Sequence, residues 1–590
     1  MCRVLLACVV VLGLRAQQTP SELAHLFVQQ FSGGTAEEFA RVFPLPAGRD
    51  SLRRAVEWKV ARKGAYAKVL EQQNDRAVLL LGGYPAIPNS GDETGFAQGF
   101  SGMYEAVREG GVWRLKSQIP IDAGNRILAH KLDVTLEPGS GLRVTDHMRV
   151  EVGGTHGFTA ALNHSAQIAR ILWNDRPVDY AFGGGVIWLP LRKGGVVTLD
   201  YEILVEKGPN NTNSSCFLEH AGHVRNQYYW HPFFGFFNGR DISEFEITVR
   251  LPAAYRVATS IPQSDRVEGN IRMVMGHTIR NTEALSLLYD RDWKPVIAQA
   301  GEMRLELFTT PDFEPRHQQI TTTFGEMYEM LRRRFGAPAG GYVSVVQSRA
   351  RGDSGWRYSS NQAIVGGTKG APLEGPDATN FFHEMAHSWT QGLGPAANLL
   401  QEGWATYAES VYLREKVGQE GVKRFWKTQA DIYFASFEGK ATLLDDSHNQ
   451  GIAYRKGSWV FLMLEHVIGE TSFNRAMAEF SRRSVQHPGD VELLLQCFQQ
   501  ASGRDLTGFL MPWLKEATAP RLETRIAGSG VVITQLGPLF DLPLDIAVET
   551  ETGIQRKQIR IWQRETSVNA ESAVKGVVID PDGRFLLSRR

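Results

Sequence analysis

A chain of 590 residues is longer than one hydrophobic core supports, so three or four domains are expected. Lysine plus arginine and aspartate plus glutamate both number 64, a formal net charge of zero, with no run of five or six like charges. This balance excludes a basic nucleic-acid binder and a charged tail, while 43% hydrophobic and 22% charged residues are those of an ordinary globular protein.

Residues 1–16 read as a cleaved secretory signal. Arg3 precedes the apolar run VLLACVVVLGL, which gives way to Arg15, Ala16 and the polar QQTP. The run has the length of a signal core and is too short to span a bilayer; the rival reading is a buried N-terminal helix. Cleavage near Ala16 removes Cys2 and Cys8 and leaves Cys216 and Cys497, which either pair or sit as two buried thiols. No other apolar segment reaches spanning length. The mature chain is therefore expected to be exported, periplasmic or extracellular, with no membrane span.

Residues 17–125 form a small α+β domain of unknown role. PSELAHLFVQQF, TAEEFARVF and SLRRAVEWKVAR have helical spacing, whereas AYAKVLEQQ, RAVLLLGG, SGMYEAVREG and VWRLKSQIP read as strands. A curled sheet of cystatin or nuclear-transport-factor shape is expected. Residues 126–300 are strand-rich: KLDVTLEPG, VTLDYEILVEKG and EFEITVRLP alternate apolar and polar residues, the mark of antiparallel sheets buried on one side. Sequons at Asn210 and Asn213 lie in the loop KGPNNTNSS, and RGD at 351–353 reads as a loop. From 301 to 519 the period turns helical, and residues 520–590 return to strands such as LPLDIAVETETG.

The stretch FFHEMAHSWT, residues 381–390, carries the chemistry. Pro376 and Asp377 mark a helix start, and Gly392, Gly394 and Pro395 a stop. Phe382, Met385, Ala386 and Trp389 make a buried stripe. His383 and His387 lie one turn apart on a neighbouring face, with Cβ atoms about 5–6 Å apart. Two imidazoles at that spacing can converge on one Zn²⁺. Glu384, about 100° round the helix, points beside the metal, where it can take a proton from water.

Two rings are not a site. Glu402 follows His387 by fifteen residues, at the start of the next helix, LLQEGWATYAESVYL. A short turn folds that helix back on the first, so Glu402 can complete a His₂Glu set with a fourth position left for water. Should Glu402 not be the ligand, Asp445, Asp446 and His448 in LLDDSHNQ are next in line. Glu409, seven residues on and on the same face, is read as acceptor for the free N–H of a liganding histidine; the alternative is a surface charge.

HEMAHSWT followed by QEGWATYAES resembles the membrane-alanyl-aminopeptidase-like family of gluzincin zinc metallopeptidases, whose pattern is His-Glu-x-x-His, then Asn-Glu-Gly-Phe-Ala with a further Glu. In YRKGSWVFLMLEHVIG, Tyr454, Lys456 and Gly457 match the family's Tyr-x-Lys-Gly, whose tyrosine hydrogen-bonds the oxyanion. LNHSAQIARILWNDRPVDY, SGRDLTGFLMPWLKEATAP, LPLDIAVET and VVIDPDG extend the likeness over 126–590. The resemblance implies a multidomain α+β fold: an antiparallel β-sandwich or saddle domain over 126–300, a thermolysin-like, mainly helical zinc catalytic domain over 301–519 and a small β-domain over 520–590.

Two departures stand out. The gap between His387 and Glu402 is shorter than the family's. The family's Gly-x-Met-Glu-Asn strand, whose glutamate holds a substrate's free amine, aligns with GDSGWRYSSNQAIVGG, which puts Ser359 or a neighbour in its place. Asp353 and Glu374 are the acidic residues nearby.

Together these readings describe an exported zinc peptidase acting on peptides or proteins. One Zn²⁺ per chain is held by His383, His387 and Glu402, with Glu384 as base and Tyr454 as oxyanion donor. The choice between amino- and endopeptidase, and the oligomeric state, stay open. The other readings are a zinc hydrolase of a non-peptide bond and a binding or scaffold protein that kept the fold.

Overall fold

The structure is a computed structural model; it describes residues 18–35, 39, 61–86, 101–204, 215–234, 242–338, 341–349, 356–359, 363–366, 375–444, 451–485 and 489–588. The expected signal, both sequons, the RGD tripeptide, Asp353, Glu374, Asp445, Asp446 and His448 lie outside the described residues, as do most of TAEEFARVF and SLRRAVEWKVAR.

The helix Pro20–Gly33 starts at a capping box: the Thr19 hydroxyl accepts from the Glu22 amide at 3.2 Å, and the Glu22 carboxylate accepts from the Thr19 amide at 3.3 Å. Its stripe of Leu23, Ala24, Phe27 and Phe31 packs on a four-stranded antiparallel sheet, Ala61–Gln73, Arg76–Ala86, Gly102–Glu109 and Val112–Ile119. The first strand begins at Ala61, so the end of the stretch SLRRAVEWKVAR is extended rather than helical. AVLLLGG is apolar throughout because both faces of its strand are covered. Leu79 and Leu81 face the helix, while Val78 and Leu80 join Ala161, Val186, Trp188 and Tyr229 of the following unit. The two units approach closely: a Cβ on Gly82 would lie 2.7 Å from Gly184 Cα.

The following unit is built on an eight-stranded sheet. Its order is Gln263–Glu268, Ile271–His277, Glu244–Pro252, Arg126–Glu137, Gly141–Glu151, Gly195–Leu204, Gln167–Trp173 and Arg176–Pro177. Val134, Leu136, Leu199, Tyr201, Ile247 and Val249 fill its core, as their alternation predicts. One expectation is corrected: Glu244–Pro252 runs parallel to Arg126–Glu137. More than a hundred residues separate them, and that length supplies the crossover a parallel pair needs. Cys216 and Cys497 form no disulfide; both are buried.

A five-stranded sheet follows, in the order Val296–Ala300, Met303–Phe308, Tyr342–Gln347, Ala363–Gly366 and Trp356–Ser359. The boundary drawn at residue 300 therefore passes through a hairpin, and the sheet assigns Val296–Ala300 to the helical unit. The helix His317–Phe335 connects two parallel strands and covers the sheet. Beyond it come the helices Gly375–Ala386, Trp404–Lys416, Gln419–Ser436, Ser458–Ile468, Glu470–Arg483, Val491–Ser502 and Thr507–Lys515. Two three-stranded sheets close the chain, and their core (Val531, Ile533, Phe540, Leu544, Val548) is continuous with that of the helices. The Trp513 and Phe540 rings meet at 4.9 Å across that seam.

Candidate metal centre

The α-helix Gly375–Ala386 ends one residue before the second histidine, and His387–Trp389 form a single tighter turn. Phe382, Met385, Ala386 and Trp389 are buried as the stripe predicts. The Trp389 indole donates to Gly336 O at 2.9 Å, and a reach from the β-rich unit secures the same end: the Arg280 guanidinium donates to Ser388 O at 3.0 Å. This histidine segment is thus held from two sides.

Glu402 sits in a π-turn, Leu399–Gly403, that widens the start of the helix Trp404–Lys416. Single π-turns inside helices cost a regular hydrogen bond and concentrate at functional sites. The indole of Trp404 donates to Ala386 O at 2.9 Å and ties this turn to the histidine segment. Tyr454 lies in a second π-turn, Ala453–Gly457, ahead of the helix Ser458–Ile468. The two wide turns touch through their glycines: a Cβ on Gly403 would come within 3.1 Å of Gly457 C.

Three side chains converge. Glu402 Oε2 lies 3.2 Å from His383 Nε2 and 3.6 Å from His387 Nε2, and the three donor atoms fall within 4.8 Å of one another. Four-coordinate zinc with bonds near 2.1 Å has donor atoms about 3.4 Å apart, so the two measured separations fit that ion. Among the described residues this is the one His/Cys/Asp/Glu group so arranged. At the far end of the His383 ring, Nδ1 meets Glu409 Oε1 at 2.8 Å. The Tyr454 ring lies parallel to the His383 ring, centroids 5.9 Å apart, and its phenol hydrogen-bonds Glu402. Glu384 stands beside the group: Oε2 is 3.9 Å from His387 Nε2, and Asn380 donates to Oε1 at 3.4 Å.

The charges follow from burial and neighbours. Burial opposes ionisation of Glu402, yet His387 and the hydrogen bond to His383 hold its carboxyl at about 2, an anion at any ordinary pH. Burial lowers His387 to about 4, so its imidazole is neutral with a lone pair to give. Burial also acts to lower His383, but hydrogen bonds to Glu402 and Glu409 carry it well above the usual range. Those two hydrogen bonds favour a proton on each His383 nitrogen; when the Nε2 proton leaves, one anionic oxygen and two imidazoles aimed at one point match the donor set of a zinc site.

The sequence-predicted residues His383, His387, Glu402, Glu384, Glu409 and Tyr454 are thus brought together. Sequence reading did not find Arg280, more than a hundred residues upstream of the carbonyl it holds, or Asn380 on Glu384; neither carries a motif. The edge strand Trp356–Ser359 packs against the histidine helix and pairs antiparallel with Ala363–Gly366, Ser359 opposite Ala363. None of its four residues is acidic.

No family model matches the chain. Aminopeptidase N of Streptomyces lividans is 26% identical over 235 residues, 35% of this chain and 27% of that protein, so the match spans about a quarter of the relative's length. Among solved structures, an M1 zinc metallopeptidase from Deinococcus radiodurans superposes with a TM-score of 0.54 at 16% identity, covering 67% of this chain and 95% of that one. Legionella pneumophila aminopeptidase A, solved with aspartic acid, gives a TM-score of 0.62 at 13% identity, covering 80% and 60%. The chain thus shares the fold of the M1 zinc metallopeptidases and is similar in sequence, over part of its length, to M1 aminopeptidases.

Proposed function

We propose that the chain is an exported zinc peptidase, with one Zn²⁺ held by His383, His387 and Glu402. The observation that carries this reading is the convergence of those three donor atoms beside a carboxylate and a phenol that do not complete the donor set. The ion, when bound, supplies a Lewis acid that polarises a scissile carbonyl and lowers the pKa of water. Glu384 takes a proton from the attacking water and passes it to the leaving amine. Tyr454 donates its phenol hydrogen to the oxyanion that forms as the carbonyl carbon becomes tetrahedral. With zinc bound, Glu409 would keep His383 Nδ1–H outward and so leave the Nε2 lone pair to face the ion.

The substrate end that the cleft reads follows from its acids. A buried ammonium needs a carboxylate, since leaving it unpaired costs several kcal/mol. GWRYSSNQAIV contains none. Its serines, asparagine and glutamine can hydrogen-bond a peptide backbone but cannot neutralise a charge. The chain is therefore expected to cleave peptides without requiring a free N-terminus.

The test is hydrolysis of matched free and N-acetylated peptides by the zinc-loaded full chain, with a chelator control. Cleavage of both, stopped by the chelator, is expected. Cleavage of the free peptide alone, one residue at a time, would refute the second part, and no cleavage of any peptide the first.

A further inference from the structure

Lys456 of the Tyr-x-Lys-Gly stretch has no part in the mechanism above, yet it is fully buried. Its ammonium donates to Glu516 O at 2.5 Å and lies 3.5 Å from Thr518 O, with the Trp513 ring centroid at 6.0 Å. Among the described residues it meets these carbonyls rather than a side-chain carboxylate; the Glu516 and Glu438 side chains act on it through space. A buried ammonium is costly, and a methionine would fill the same space without that cost. The charge earns its place only through what its hydrogen bonds hold.

What they join is a firmly anchored segment and a weaker turn. Residues 516–518 follow the helix Thr507–Lys515, and Ala517 O accepts from the Tyr433 hydroxyl at 3.1 Å and the Gly439 amide at 2.9 Å. The other end is the π-turn Ala453–Gly457, whose extra residue leaves the regular ladder weakened. Ser458 Oγ caps its carbonyls at Tyr454 (2.7 Å) and Arg455 (2.9 Å), and Arg455 contacts Gln429. We propose that Lys456 is a positioning residue for Tyr454: by pinning the wide turn to the carbonyls of Glu516 and Thr518, it fixes the phenol beside His383 and Glu402. The kinetic half of this inference rests on the peptidase reading; the structural half does not.

Two measurements on the zinc-loaded full chain test it. Lys456→Met and Lys456→Gln are made in the wild type and in Tyr454→Phe. In the wild-type background Lys456→Met should lower kcat about ten- to a hundredfold at unchanged KM, the cost of misplacing a reacting group by about 1 Å. In the Tyr454→Phe background the same change should alter kcat by less than about twofold, because the group being positioned is gone. Lys456→Gln, which keeps a donor, should fall between, and it serves if the methionine variant does not fold. Amide hydrogen exchange should rise for residues 451–460 and stay unchanged in the histidine helix. An equal loss of kcat in both backgrounds would overturn the proposal, as would unchanged exchange at 451–460. If the wild type cleaves no peptide, that result removes the peptidase reading, and the exchange data decide the pin alone.

Discussion

Replacing Glu409 by alanine removes the partner of His383 Nδ1 and leaves all three donor atoms in place. The carboxylate lies 2.8 Å from that nitrogen, and the His383 ring is buried, so water has little room to substitute. Without the acceptor the imidazole can rotate or carry its proton on Nε2, the atom 3.2 Å from Glu402. Partners of this kind are worth roughly 10–100-fold in metal affinity, about 1.4–2.7 kcal/mol. Glu409→Ala should weaken zinc binding by that factor; Glu409→Gln, whose amide oxygen still accepts, should lose less. Glu402→Ala removes a donor and should cost more than either. Competition with a chelator of known zinc affinity gives the three constants, and circular dichroism checks the fold. Wild-type affinity in Glu409→Ala would refute the tautomer argument, and a loss equal to that of Glu402→Ala would mark Glu409 as a ligand itself.

Glu384→Gln should keep zinc, since Oε2 is aimed beside the donors, while kcat falls about 10²–10⁴-fold; metal analysis paired with turnover checks it. Tyr454→Phe should lose about 10²–10³ in kcat with little change in KM, and near-normal kcat would make the ring a packing residue. Burial lowers Lys456 to about 8 from 10.5, so the unfolded chain binds more protons between those values and stability rises with pH across that window. The increment, present above 10.5 and lost as pH falls through 8, is about 3 kcal/mol. Urea unfolding of wild type and Lys456→Met at both ends of the window measures it, and a pH-independent difference refutes it.

The clustering of His383, His387 and Glu402 was legible because its information is local. His383 and His387 need only one helical turn, and Glu402 only a short turn that brings the next helix back. The wide turns were invisible, because LLQEG and AYRKG read as ordinary helix starts and five residues are too few for an extra one to show in the period. Contacts between distant stretches were hidden for a different reason. Arg280 on Ser388 O and Lys456 on Glu516 O join residues whose sequence neighbourhoods carry no sign of each other. The parallel placement of Glu244–Pro252 was missed because half-buried strands alternate identically whichever way the neighbour runs. The hairpin across residue 300 was missed because its exposed strand, Val296–Ala300, lacks a clean alternation.

The seven-residue interval between Glu402 and Glu409 has a physical meaning that neither carboxylate shows alone. Seven residues of helix advance about 10 Å and return nearly to the same face. An imidazole has its two nitrogens on opposite sides of the ring, so it can be gripped between two acceptors spaced along a helix axis. Glu402 meets Nε2 of His383 and Glu409 meets Nδ1 of the same ring. The π-turn then supplies what a straight helix lacks: it displaces Glu402 from the regular spiral, so that the carboxylate also comes within 3.6 Å of His387 Nε2. Gly403 makes this possible, since any side chain there would press on the turn that carries Tyr454. One helix therefore grips a histidine between two glutamates, and in the proposed zinc site one would orient the ring while the other would complete the donor set.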